Sequence, residues 1–205
     1  MNKKMKLVAG MLLFGSLWGF SEVIIGSTLG DMGLPSGVLM TAFFAMTFMV
    51  MSRMIYRQPG MQMGMGLIAG SLRMFNPFMG CHLCSALAIM AEGVLFEILW
   101  YFISNDFHEL KNTLYQGSMG IITAYILYTG GSIVTQILTP IASAQTFFIE
   151  DLIGFIPNIL AKGLLAGLAG VIVIPLIFAA KQFTNIKIRD TLYYPTTVGI
   201  SLFCW

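Results

Sequence analysis

The chain has 205 residues, 57% of them hydrophobic and only 10% charged, with a formal net charge of +2. Soluble domains are about one-quarter charged, so this composition cannot coat a water-facing surface and excludes a soluble globular protein. The small positive balance carries no signature of nucleic-acid binding, and three cysteines are too few for a disulfide framework.

A membrane-spanning helix needs about 20 largely apolar residues. By that rule the chain holds six spans in one bundle, making it an all-α integral membrane protein. The first runs from about Leu7 to Leu29 and reads as an uncleaved span, because no small-residue cleavage site interrupts it. "GDMGLPSG" follows as a turn. The second covers about Val38 to Tyr56 and stops at "RQPGMQ"; the third covers about Met61 to Phe78 and breaks near "NPF". The fourth runs from about Leu83 to Ile103, the fifth from about Tyr115 to Leu138 before Pro140, and the sixth from about Pro157 to Ala180. "IASAQTFFIEDLIGF", between the last two, is apolar but too short to span, which suits an interfacial or re-entrant segment. Residues 1–190 thus form one transmembrane domain. Residues 191–205, broken by Pro195, read as a short cytoplasmic or interfacial tail.

Lys and Arg set the orientation. Lys3, Lys4 and Lys6 precede span one, Arg53 and Arg57 close span two, Lys111 follows span four, and Lys181, Lys187 and Arg189 follow span six. The opposite loops hold Asp31, Glu150 and Asp151 and no Lys or Arg. Both termini are therefore expected in the cytoplasm, with the protein in the cell (inner) membrane. "NPFMGCHLC" then falls at the outer ends of spans three and four.

Five ionisable residues lie inside spans: Glu22, Arg73, Glu92, Glu97 and Lys162. Each costs about 2.5–3.5 kcal/mol at mid-bilayer on insertion scales, so each needs a partner or a function. At about 100° per residue, Cys81, Cys84, Ser85, Ala88 and Glu92 share one stripe of span four, and Glu97 points about 140° away from Glu92. Glu22, Arg73, Glu92 and Lys162 are expected to converge on a polar chamber in the outer half of the bundle. Asn76 and Asn158 would add neutral hydrogen-bonding groups, and Trp18 and Trp100 would form its walls. The bland alternative is two structural ion pairs, Glu22 with Arg73 and Glu92 with Lys162.

The CHLC segment admits three readings. Cys81, His82 and Cys84 are a possible set of soft-metal ligands, although a structural zinc needs four. A CxxC at an outer helix end also suits a membrane thiol-redox protein, which would need a second cysteine pair or a partner's thiols to exchange with. The third reading is plain packing or a local disulfide, since cysteine is a small apolar residue. The Met-rich "MQMGMG" would mark a soft-metal permease, but it is also ordinary apolar chain.

The size, the six spans, the cytoplasmic termini, "LWGFSE" in span one and "AIMAEGVLFE" in span four make the chain resemble the substrate-binding S components of energy-coupling factor transporters. The resemblance implies an outward-facing pocket for a vitamin-like molecule or a metal ion, and no enzymatic activity or resident cofactor of the chain's own. It also implies partners, a transmembrane coupling protein and two ATPase subunits. It assigns the coupling-protein surface to small residues of the first helix, here Ala9, Gly10, Gly15 and Gly19. Cobalt and nickel members begin with a histidine-bearing N-terminus; this chain begins "MNKKMK", which argues against those two ions. No GxxxxGK[ST] phosphate loop is present, so active transport would draw energy from ions or a partner. A substrate-capture subunit for micronutrient uptake is the leading expectation, with a thiol-redox protein or a soft-metal permease as alternatives.

Overall fold

A computed structural model describes residues 3–75, 82–103, 110, 112–143, 146, 148–183 and 190–205. Every element among the described residues is a helix. α1 runs Lys3–Asp31, α2 Ser36–Tyr56, α3 Met61–Met74, α4 His82–Ile98, α5 Thr113–Ala142, α6 Ile149–Phe183 and α7 Asp190–Cys204. Five of these, α1, α2, α4, α5 and α6, are long and apolar enough to cross a membrane. α3 has 14 residues, about 21 Å at 1.5 Å per residue, and the end expected for span three (76–78) lies outside the described residues.

Several ends differ from the sequence reading. α5 continues through Pro140 to Ala142. α6 begins at Ile149, so the last seven residues of the segment expected to be interfacial or re-entrant form its first turns, carried on through Pro157. Proline removes one donor from a helix and still leaves it continuous, which membrane helices tolerate well. Residues 191–205, expected as a short cytoplasmic or interfacial tail, largely belong to α7, which packs on α1. Trp205 Nε1 donates to Ser16 Oγ (3.2 Å), the Phe203 ring lies 5.9 Å from that of Phe20, and the Tyr56 and Tyr193 hydroxyls share a hydrogen bond.

α2 is the most buried of the five long helices. Its Ala42, Ala45, Met46, Met49 and Val50 are inaccessible and meet Met61, Met65 and Ala69 of α3. Unbranched methionine fills irregular gaps between helices. Around this centre the remaining helices pack as neighbours in the order α7, α1, α3, α4, α5, α6. At the α3–α4 and α5–α6 seams glycine lets the backbones meet. A Cβ on Gly93 of α4 would stand 2.6 Å from the Gln62 carbonyl oxygen of α3, and one on Gly120 of α5 would collide with the Gly170 carbonyl of α6. Without water to drive helices together in lipid, such backbone-to-backbone approach supplies the packing energy.

Turn chemistry follows the sequence. Gly33 (φ 72°) and Gly60 (φ 88°) sit in left-handed turns after α1 and α2, and Arg57 (φ 46°) ends α2. Asn112 caps α5 by accepting from Leu114 N–H at 3.0 Å.

Among the described residues three π turns interrupt the α-helical ladder: Glu22–Gly26 in α1, Met40–Ala45 in α2 and Leu99–Ile103 continuing α4. A π turn holds one extra residue and re-aims the side chains beside it; such turns concentrate at functional sites. The first two flank the polar cluster described next.

Candidate functional site: a buried carboxylate cluster

Glu92 lies on α4, 5% exposed. Its Oε1 accepts from Thr41 Oγ1 at 2.6 Å, and its Oε2 is buried with no hydrogen-bond partner. Thr41 reaches it from the π turn of α2. Gly131 of α5 forms the opposite wall: a Cβ there would stand 3.3 Å from Glu92 Cγ. Tyr128, one turn earlier on α5, bonds to Ser132 and lies within Coulombic range of Glu92.

Glu22 opens the π turn of α1. Its Oε1 accepts from Trp18 Nε1 at 3.3 Å, and Gly26 lies against its Oε2, where a Cβ would stand 3.4 Å away. Trp18 itself is wholly buried. Glu22 and Glu92 are near enough for their charges to repel, and Arg73 is near enough to attract Glu22. Arg73, 9% exposed at the end of α3, gives NH1 to the Glu22 backbone carbonyl (3.3 Å) and to Ser27 Oγ (3.1 Å). Its Nε is buried without a partner.

The depths agree. Glu22 is nine residues from Asp31, and Glu92 is ten residues from His82. At 1.5 Å per residue both lie about 14–15 Å from those helix ends.

Of the four charges expected to converge, Glu22 and Glu92 lie within Coulombic range of each other, and Arg73 reaches the Glu22 backbone, with Trp18 bonded to the Glu22 carboxylate. Lys162 and Asn158 do not join them: both are exposed on α6, on the stripe that also carries Asp151. The Glu92–Lys162 ion pair is accordingly not formed, and Lys162 can carry its charge outward on its long stem. Trp100 stacks on Phe96 (5.7 Å, 24°), eight residues beyond Glu92, and belongs to the core. Glu97 plays a structural part. It accepts from Gly60 N–H and from Met63 N–H (3.0 Å), capping the start of α3 from a neighbouring helix. Asn76 and Cys81 lie outside the described residues.

Ala9, Gly10, Gly15 and Gly19, the expected docking surface, are all buried within this chain. Gly10 faces the Tyr56 ring. Gly15 and Gly19 face Ile68 and Leu72 of α3, so their GxxxG spacing serves an internal contact. Ala9 lines the groove between α1 and α7.

Cys84 is disulfide-bonded, whereas Cys204 is free and buried. A disulfide sulfur is not the thiolate a soft metal binds, so in this oxidation state Cys84 offers no such ligand. His82 Nδ1 is buried without a hydrogen-bond partner. Among the described residues no three His, Cys, Asp or Glu side chains gather to hold a metal ion.

Sequence reasoning does not single out Thr41, Ser27 or Gly131. Thr41 carries one signal, a lone hydroxyl in the apolar run "VLMTAFFAM". Comparison with protein-family models, curated proteins and solved structures found no match for this chain.

Proposed function

We propose that the chain is a membrane-embedded substrate-capture subunit for uptake of a small micronutrient, a vitamin-like molecule or a metal ion. One observation carries the reading: buried Glu92 Oε2 has no partner, within Coulombic range of Glu22, whose backbone carbonyl Arg73 bonds, in a cluster framed by two π turns. A buried polar atom without a partner costs about 1–3 kcal/mol, and a ligand that supplies the missing bond removes that cost. Intramembrane ionisable groups of this kind mark substrate and ion pathways.

In the finer reading the protein has six spans in the cell (inner) membrane, α3 forming the short third, with both termini in the cytoplasm. The site then opens toward the outside. The chain has no phosphate loop, so energy is assigned to partner ATPases acting through a transmembrane coupling protein. The small residues of α1 are occupied internally, and the partner's surface lies elsewhere.

The test is purification in mild detergent with mass spectrometry and elemental analysis of whatever co-purifies. The wild type should retain a stoichiometric small molecule or ion, and Glu92→Gln should hold it roughly tenfold to a hundredfold more weakly while remaining folded. Equal retention by the variant removes Glu92 from the site; a chain that carries no ligand and recruits no partner defeats the capture reading.

A further inference from the structure

The cluster's unused atoms indicate what kind of ligand it takes. Two carboxylates, Glu22 and Glu92, lie within Coulombic range of each other, and one guanidinium, Arg73, lies within range of Glu22, so the ionised site holds a surplus negative charge. Arg73 does not spend its bonded nitrogen on either carboxylate, because NH1 goes to a backbone carbonyl and a serine hydroxyl. The donors that do reach the acids are neutral: Thr41 Oγ1 to Glu92 and Trp18 Nε1 to Glu22. Lys162, the cation that would have balanced the count, stands exposed on α6.

What remains is mostly acceptor. Glu92 Oε2 is buried and unpaired, and Glu22 Oε2 faces the bare backbone of Gly26. Arg73 Nε is a buried donor that is likewise without a partner. An anion would meet two carboxylates at once, and a neutral apolar molecule would leave every one of these atoms unpaired. An N–H-bearing cation supplies both the charge and the donors, in charge-assisted bonds about twice as strong as neutral ones.

We infer that the site takes a small organic cation of net charge +1 with N–H donors, an ammonium or amidinium group, placed between Glu22 and Glu92. A neutral acceptor on the same molecule, such as a carbonyl or ring nitrogen, would face Arg73 Nε. Trp18, bonded to Glu22, adds an aromatic neighbour for the cation. The inference rests on the capture reading and narrows it to one substrate class.

Trp18 also reports on occupancy. In purified Trp100→Phe/Trp205→Phe protein, the fluorescence of Trp18 is titrated with three probes of matched size: benzamidine, the phenyltrimethylammonium ion and benzoate. Benzamidine should give a saturable change, with the permethylated cation at least tenfold weaker and benzoate inert. Glu92→Gln and Glu22→Gln should each weaken benzamidine at least tenfold. The wild-type probe series stands by itself if a variant does not fold. Binding of benzoate, equal binding of the two cations, or no saturable response to benzamidine overturns the inference. Retention of a stoichiometric anionic or neutral ligand in the purification above would also overturn it while leaving the capture reading intact. Benzamidine binding by a chain that recruits no coupling partner would uphold the cation site and defeat the capture reading.

Discussion

Two glutamates five residues apart on α4 do opposite work, and their surroundings decide which does what. Glu97 receives two backbone N–H groups from the start of α3, where the helix dipole favours a negative charge. Its oxygens are committed. Glu92 has one committed oxygen and one idle one. Glu97→Ala should therefore cost about 0.5–2 kcal/mol of stability, the usual range for a lost cap, and leave ligand retention unchanged. Thermal unfolding in detergent, run beside the retention assay, separates the two roles. A variant with unaltered melting and lost ligand would exchange the assignments of Glu92 and Glu97. The sequence placed these two carboxylates on different faces by helical arithmetic alone. It could not show Glu97 as a cap, because the capped N–H groups lie more than 30 residues away in the chain.

At the scale of the element, the π turns matter more than helix length. In α2 the residues after the turn, Met46, Met49 and Val50, are fixed in the core, and Thr41 is aimed by the turn itself. Deleting half-exposed Phe43 would convert the π turn to regular α-helix and rotate the preceding segment by about 100°. The expected result is a folded protein whose Thr41 no longer reaches Glu92, with ligand retention reduced as in Glu92→Gln. A monodisperse chromatographic profile with full retention would show that the turn does not position the site. Hydropathy gave the long helices because each is a continuous apolar run. It gave neither the π turns, which leave composition unchanged, nor the start of α6, where Pro157 looked like a boundary and the helix passes through it.

For the whole molecule, charge placement sets the topology and internal packing sets which surfaces remain for partners. A six-span chain with both termini inside predicts that reporters fused after Lys4 or within the Arg57–Gly60 turn are active only in the cytoplasm, and reporters in the Met32–Pro35 turn only outside. An external Arg57–Gly60 reporter would invert the site and remove its route from the outside. The polar cluster was legible in sequence as far as its charges, because ionisable residues stand out against lipid-soluble neighbours. Lys162 was misplaced because charge says nothing of helix facing, and α6 lacks the strong amphipathic pattern that would have shown Asn158 and Lys162 pointing away. The glycines of α1 were misassigned for a related reason: GxxxG spacing identifies a close-packing face without naming the helix that fills it.

The docking of α7 on α1 bears on how the chain assembles. The Trp205–Ser16 bond joins residues 189 positions apart, so α1 meets this neighbour only after α2 to α6 have been made. Contacts of such long sequence separation are slow to close. The docking of α7 is thus a late clasp onto α1, and a translation stall before α7 would leave α2 to α6 free to assemble around an incompletely covered α1.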